Sequence, residues 1–205
     1  MNSGFIITHH RYSPYLRAFS RPLQYFFLAA LVATASVDAA ELRAGNTYRL
    51  LFTGVDKQQL STSDGHVTVI TVVTRDDEQK AQTVGDRIAP VYMGNPKYRL
   101  INLVNFQQKI FAPFRGMISA IIRGRLDAEA KKLQEIYAAK QIKRNPRHDI
   151  FVVADFDGKA VSQLGIAPAS SEFAVFVFDG RGRLVRRWND LPSADALTEA
   201  INEAG

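Results

Sequence analysis

Residues His66 to Thr74 read HVTVITVVT, β-branched almost throughout and with no polar residue at every second place. A strand with one wet face alternates; a run that is apolar on both faces has to be covered from both sides. This segment therefore demands a sheet with protein packed on each face. Tyr98 to Asn105 (YRLINLVN) and Asp149 to Ala154 (DIFVVA) are two further apolar strands, with helical stretches between them. Asp76, Asp77 and Glu78 follow the first strand at once and suit the opening turn of a helix, which is expected to run to about Ala89 before Pro90. Ile118, Ile122, Leu126, Leu133 and Tyr137 recur at helical spacing and mark a second helix, which Pro146 is expected to close.

Hairpins flank this alternation. Tyr48 to Ser61 folds back around Gly54-Val55-Asp56-Lys57, and Phe173 to Phe178 pairs with Leu184 to Trp188 across Asp179-Gly180-Arg181-Gly182. Pro192 to Ala204 reads as a closing helix capped by Ser193. The order is hairpin, strand, helix, strand, helix, strand, hairpin, helix. With right-handed crossovers it predicts a three-layer α/β/α sandwich on a central mixed β-sheet with an N-terminal β-hairpin.

Ahead of that domain, Tyr25 to Val37 (YFFLAALVATASV) is an uncharged run after Arg11, Arg17 and Arg21, and it leads into the small residues around Ala39-Ala40. This is the layout of a secretory signal peptide. Its length is short of the roughly 20 residues a membrane helix needs, so cleavage is expected over retention as an N-terminal anchor. Residues 1–40 are accordingly assigned to export and 41–205 to the folded domain, in a periplasmic or secreted location.

The chain of 205 residues has no cysteine. That removes thiolate nucleophiles, disulfide exchange, Cys-rich zinc sites and thiolate iron-sulfur ligation. Two of the four histidines, His9 and His10, lie in the export segment; His66 and His148 are too far apart in sequence to start a metal site. No metal and no cofactor is expected.

The mature chain resembles the thioredoxin-like fold superfamily, of the redoxin or peroxiredoxin-like type. The leading hairpin before Val67 to Thr74, the segment Asp149 to Gly165 (DIFVVADFDGKAVSQLG), the closing hairpin Phe173 to Leu184 (FAVFVFDGRGRL) and the last helix carry the likeness. The resemblance implies the fold and a redox site at the start of the first helix, where this chain reads DDEQK from Asp76 to Lys80. The cis-proline that the family places directly before the strand at Ala174 to Phe178 is also missing: Glu172 and Phe173 stand there, and the nearest proline is Pro168. The resemblance thus implies a member without active-site cysteines or cis-proline.

Four groups of residues are candidates for function. The end of the central strand is where open α/β sheets take ligands, so Asp76, Asp77 and Glu78, with Ser170, Ser171 and Glu172 in the loop before the closing hairpin, are the expected ligand or partner face. Asp155-Phe156-Asp157-Gly158 resembles the first motif of haloacid-dehalogenase-type phosphatases; the alternative reading is a magnesium-dependent hydrolase using Asp155 and Asp157, although that family's later motifs need more chain than remains. Lys140, Lys143, Arg144 and Arg147 form a basic run suited to weak contact with an anionic membrane surface. Nucleic acid is not expected as a partner, since Tyr137 is the sole nearby stacking ring. The reading is an exported, redox-inactive binding or accessory protein whose partner is another envelope protein.

Overall fold

A computed structural model describes residues 41–74, 77–106 and 113–205. Residues 1–40, expected to serve export, and Asp76 lie outside them. The described elements run β1 (Leu51–Thr53), β2 (Gln59–Ser61), β3 (Val67–Val73), α1 (Glu78–Tyr92), β4 (Tyr98–Asn105), α2 (Arg115–Ala139), a 3-10 turn (Pro146–Asp149), β5 (Phe151–Asp155), α3 (Lys159–Gln163), β6 (Ala174–Phe178), β7 (Leu184–Trp188) and α4 (Ala194–Ala204).

Five strands form one mixed sheet in the order β5-β4-β3-β6-β7, with β3, β4 and β5 parallel and β6 and β7 antiparallel to their neighbours. β3 lies at the centre and is buried at every position, as its unbroken apolar sequence requires. One sheet face packs Ile70, Val72, Ile101, Leu103, Phe176 and Phe178 under the β1–β2 hairpin and α3. The other packs Val67, Val69, Val73, Val175 and Val177 under α1 and α4. The three-layer α/β/α expectation and the N-terminal hairpin both hold.

Several boundaries differ from expectation, each for a local reason. α1 continues through Pro90 to Tyr92; so near a helix end a proline removes little of the hydrogen-bond ladder. α2 ends at Ala139, well before Pro146, because Gln141 adopts φ 56° and two bonds close the terminus: Gln141 N to Ala138 O (3.0 Å) and Ile142 N to Tyr137 O (2.8 Å). This is a Schellman ending with glutamine in glycine's usual place. β5 starts at Phe151 because Asn145 caps the 3-10 turn, accepting from Arg147 N at 2.9 Å. Ser193 caps α4 as expected, accepting from Ala196 N at 3.2 Å.

Candidate functional site

The parallel strands finish together, with Val73 beside Val104 and Asn105 beside Asp155, and antiparallel β6 enters at the same end, with Ala174 opposite Val72. Four segments therefore meet at the C-terminal end of the parallel strands: Thr74 with Asp77 and Glu78, Asn105–Phe106, Asp155 to Gly158, and the loop Ala167 to Phe173. The two halves of the expected partner face share one end of the sheet.

Within that end most carboxylates are already engaged. Asp77 precedes α1 but does not cap it; its Oδ2 accepts from Thr74 N (3.2 Å) and Thr74 Oγ1 (2.7 Å), tying the helix start to the strand end. Glu78 is exposed. Lys80, one turn into α1, pairs with Asp190 at 2.8 Å and lies 5.1 Å from the Phe173 ring centroid. That bond raises the lysine pKa and holds Asp190 below the usual carboxylate range. Glu172 accepts from Arg187 at 2.8 Å, and the same guanidinium bonds Glu41 at 2.7 Å and lies over the Phe176 ring. Ser170 Oγ accepts from Glu172 N at 3.0 Å, whereas Ser171 is exposed.

Asp155 and Asp157 serve the chain turn. Asp155 is 3% exposed, and its oxygens accept from Gly158 N (2.8 Å), Val161 N (2.9 Å) and Asp157 N (3.3 Å). A buried carboxylate that accepts from three backbone N–H groups organises the start of α3. Asp157 lies 3.2 Å from Lys159 Nζ; burial pushes its carboxyl up, but the hydrogen bonds from Lys159 outweigh that and hold its pKa low. Among the described residues no group of three or more His, Asp or Glu side chains is placed to hold a metal ion.

The basic run divides in two. Arg144 pairs with Asp149 at 2.7 Å, and Arg147 bridges Asp56 and Asp127; these arginines fasten α2 and the hairpin tip to the 3-10 turn. Lys140 and Lys143 are exposed. No helix of the described residues is long and apolar enough to cross a membrane.

Sequence reasoning missed the residues that assemble this end. Asn105, 3% exposed, donates to Pro168 O (3.1 Å) and Ser170 O (3.2 Å) and so fixes the loop before β6. Phe106 and Phe156 stack at 4.6 Å, with the Arg115 guanidinium 5.7 Å from the Phe156 ring. A polar residue closing an apolar strand, as Asn105 closes YRLINLVN, was the available signal.

No family model matches this chain, and no curated protein matches it. Solved structures do match. A candidate protein disulfide isomerase from Bacteroides thetaiotaomicron superposes with a TM-score of 0.50 at 12% identity, covering 80% of this chain and 90% of that one. A peroxiredoxin-like protein from Aquifex aeolicus gives 0.48 at 15% identity over 80% and 89%. The exposed lipoprotein thioredoxin of Streptococcus pneumoniae gives 0.47 at 16% identity over 76% and 99%. At such identities the likeness concerns the fold alone. The first of these superpositions and the strand order show a thioredoxin-like α/β fold. This chain has no cysteine, and no cis peptide bond occurs among its described residues.

Proposed function

We propose that this chain is an exported, redox-inactive thioredoxin-like binding or accessory protein of the cell envelope, with another envelope protein as its partner. The observation that carries this reading is the make-up of the sheet end: a fold whose thiol chemistry would sit at the start of α1 has the Thr74–Asp77 tie and the exposed Glu78 there instead, with no cysteine anywhere in the chain. The partner face consists of Glu78 with Ser170, Ser171 and Glu172, which Asn105 and Arg187 hold in place. Export rests on the leader-like pattern from Arg11 to Ala40. Lys140 and Lys143 supply a weaker, salt-sensitive attraction to anionic lipid; nucleic acid is not a partner in this reading.

A photo-crosslinking residue placed at Glu78 and, separately, at Ser171 in intact cells tests the face. Lys97, exposed at the opposite end of β4, serves as control. One envelope protein should cross-link from the first two positions and not from Lys97. Equal capture from all three, or none from either test position, removes the assignment. Fractionation of the same cells should find a shortened chain outside the cytoplasm; an unprocessed cytoplasmic chain refutes export.

A further inference from the structure

The sheet face that carries α1 and α4 is not closed over β4. Leu100, Asn102 and Val104 are only half-buried on that side, and α1 and α2 stand apart above them. Between the helices runs a groove of about 930 Å³, floored by Leu100 and Asn102 and walled by Ala81 and Gly85 of α1 and Leu133 and Ile136 of α2. Its volume is in the range of about 300–1,000 Å³ that small-molecule sites occupy. The 15 residues of α1 give it a length of about 22 Å, enough for an extended acyl chain.

Three details distinguish this groove from loose packing. First, a Cβ added at Gly85 would meet only Leu100 Cδ2, at 3.8 Å; the chain keeps a glycine inside a helix, at a cost of about 1 kcal/mol relative to alanine, where neither a turn nor a clash requires one. Second, Oδ1 of Asn102 on the floor has no hydrogen-bond partner, nor does Oγ1 of its register neighbour, the fully buried Thr71. Polar oxygens left unsatisfied are rare in a closed core. Third, the lining charge is polarised. Lys132 neutralises Glu129 at 3.1 Å and Arg144 neutralises Asp149 at 2.7 Å. This leaves the exposed Lys140 unpaired by any described carboxylate at the end near Gly94, while the exposed Glu78 and Asp86 lie along the rest of α1.

We infer that this groove binds a monomeric single-chain amphiphile with an anionic head, of the fatty-acid class. The chain lies along Gly85, Leu133 and Ile136, and the carboxylate meets Lys140. Desolvated apolar contact supplies the affinity, and the single uncompensated cation sets the orientation. Glu78 borders both this groove and the sheet-end face, but neither the chain contacts at Gly85, Leu133 and Ile136 nor the carboxylate contact at Lys140 uses that face.

Titration of the full chain with the fluorescent fatty acid cis-parinaric acid, with thermal unfolding of each variant in parallel, tests the inference. The wild type should bind one equivalent saturably. Gly85→Leu, which fills the groove without straining the backbone, should weaken binding about tenfold or more with the unfolding temperature unchanged or raised. Ile136→Ser, at a side chain already 42% exposed, should weaken it about threefold in a chain that folds normally. Lys140→Gln should weaken the acid and leave the corresponding long-chain alcohol unaffected. Absence of saturable binding, unchanged affinity in Gly85→Leu and Ile136→Ser, or association with phosphatidylglycerol vesicles but not with the monomeric probe would each overturn it.

Discussion

β3 and β4 are adjacent and in register, yet they are packed in opposite ways. Every residue of β3 is buried, whereas in β4 only Arg99, Ile101, Leu103 and Asn105 are, and their alternates are half-exposed. The difference separates the two faces of the sheet. The hairpin, α3 and the Leu164–Ile166 turn close one face over both strands. On the other, α1 and α4 cover β3 and β6, whereas Leu100 and Val104 of β4 are packed against that cluster only in part. α2 does not complete that layer. Only Ala130 and Tyr137 of its 25 residues are buried, and polar tethers hold it: Arg123 to Val55 O at 3.0 Å, Tyr137 to Asp149 at 2.9 Å, and Arg147 to Asp127 at 2.9 Å. Stability is thus expected to reside in the closed face, and room for a ligand in the open one.

The largest test of that contrast compares two truncations. Phe176 is fully buried in the closed face, so Phe176→Ala should lose about 3–5 kcal/mol, through lost transfer energy and a cavity. Leu100→Ala on the open face removes a half-buried side chain and should lose only about 1 kcal/mol. Urea unfolding of both variants measures this; equal losses would abolish the distinction between the faces.

Next comes the turn that joins β5 to the partner loop. Gly158 has φ +76°, and a Cβ there would lie 2.2 Å from Pro168 Cβ. Gly158→Ala therefore meets both backbone strain and a clash, for a loss of about 2 kcal/mol or more. Because Pro168 belongs to the loop that Asn105 holds, the same variant should reduce cross-linking from Ser171. Full capture alongside reduced stability would show that the loop is positioned independently of this turn.

The closed face also has a polar tie at its opposite end. Arg99 is buried beneath the hairpin and grips both oxygens of Asp64 at 3.0 Å, with His66 at 2.8 Å from the same carboxylate. Burial pushes the Asp64 carboxyl up, but hydrogen bonds from Arg99 and His66 dominate and bring its pKa down to about 2. A carboxyl lowered in the folded state adds stability that is complete above its unfolded value near 4 and is lost as pH falls from there through about 2. The contribution is about 1–2 kcal/mol, reduced by partial exposure of the carboxylate. Asp64→Asn should flatten the stability profile across that window; an unchanged acid limb would assign acid sensitivity elsewhere.

These contrasts show which features can be read from sequence. β3 was legible because a run apolar on both faces has one structural solution. The hairpins and the Ser193 cap were legible from turn and cap residues. The end of α2 was not, since Gln141 takes a conformation for which glycine is the signal. The half-open face was not legible either. In YRLINLVN the deeply buried positions include Arg99 and Asn105, while Leu100 and Val104 stay half-exposed, so hydrophobicity alone assigns the wrong side. At the sheet end, the sequence located the acids and serines. It did not show that Asp77, Asp155 and Glu172 are each engaged by the chain itself: Thr74 and the α3 backbone are local partners that the acids reach only in the turn the folded chain adopts, and Arg187 reaches Glu172 from β7.

The smallest expected effect is also the most direct measure of whether the open face is open. Gly85 and Gly158 are both glycines beside the sheet, but the first lies inside α1 with ordinary backbone geometry and only Leu100 Cδ2 within reach of an added Cβ, at 3.8 Å. Gly85→Ala should therefore stabilise the fold by about 0.5–1 kcal/mol, through helix propensity and a less free unfolded chain. A closed face would reverse the sign, because a methyl group forced against a packed neighbour destabilises. The urea midpoint should consequently rise with an unchanged slope; a fall in the midpoint would mean that α1 sits closer to β4 than the half-buried Leu100 and Asn102 indicate.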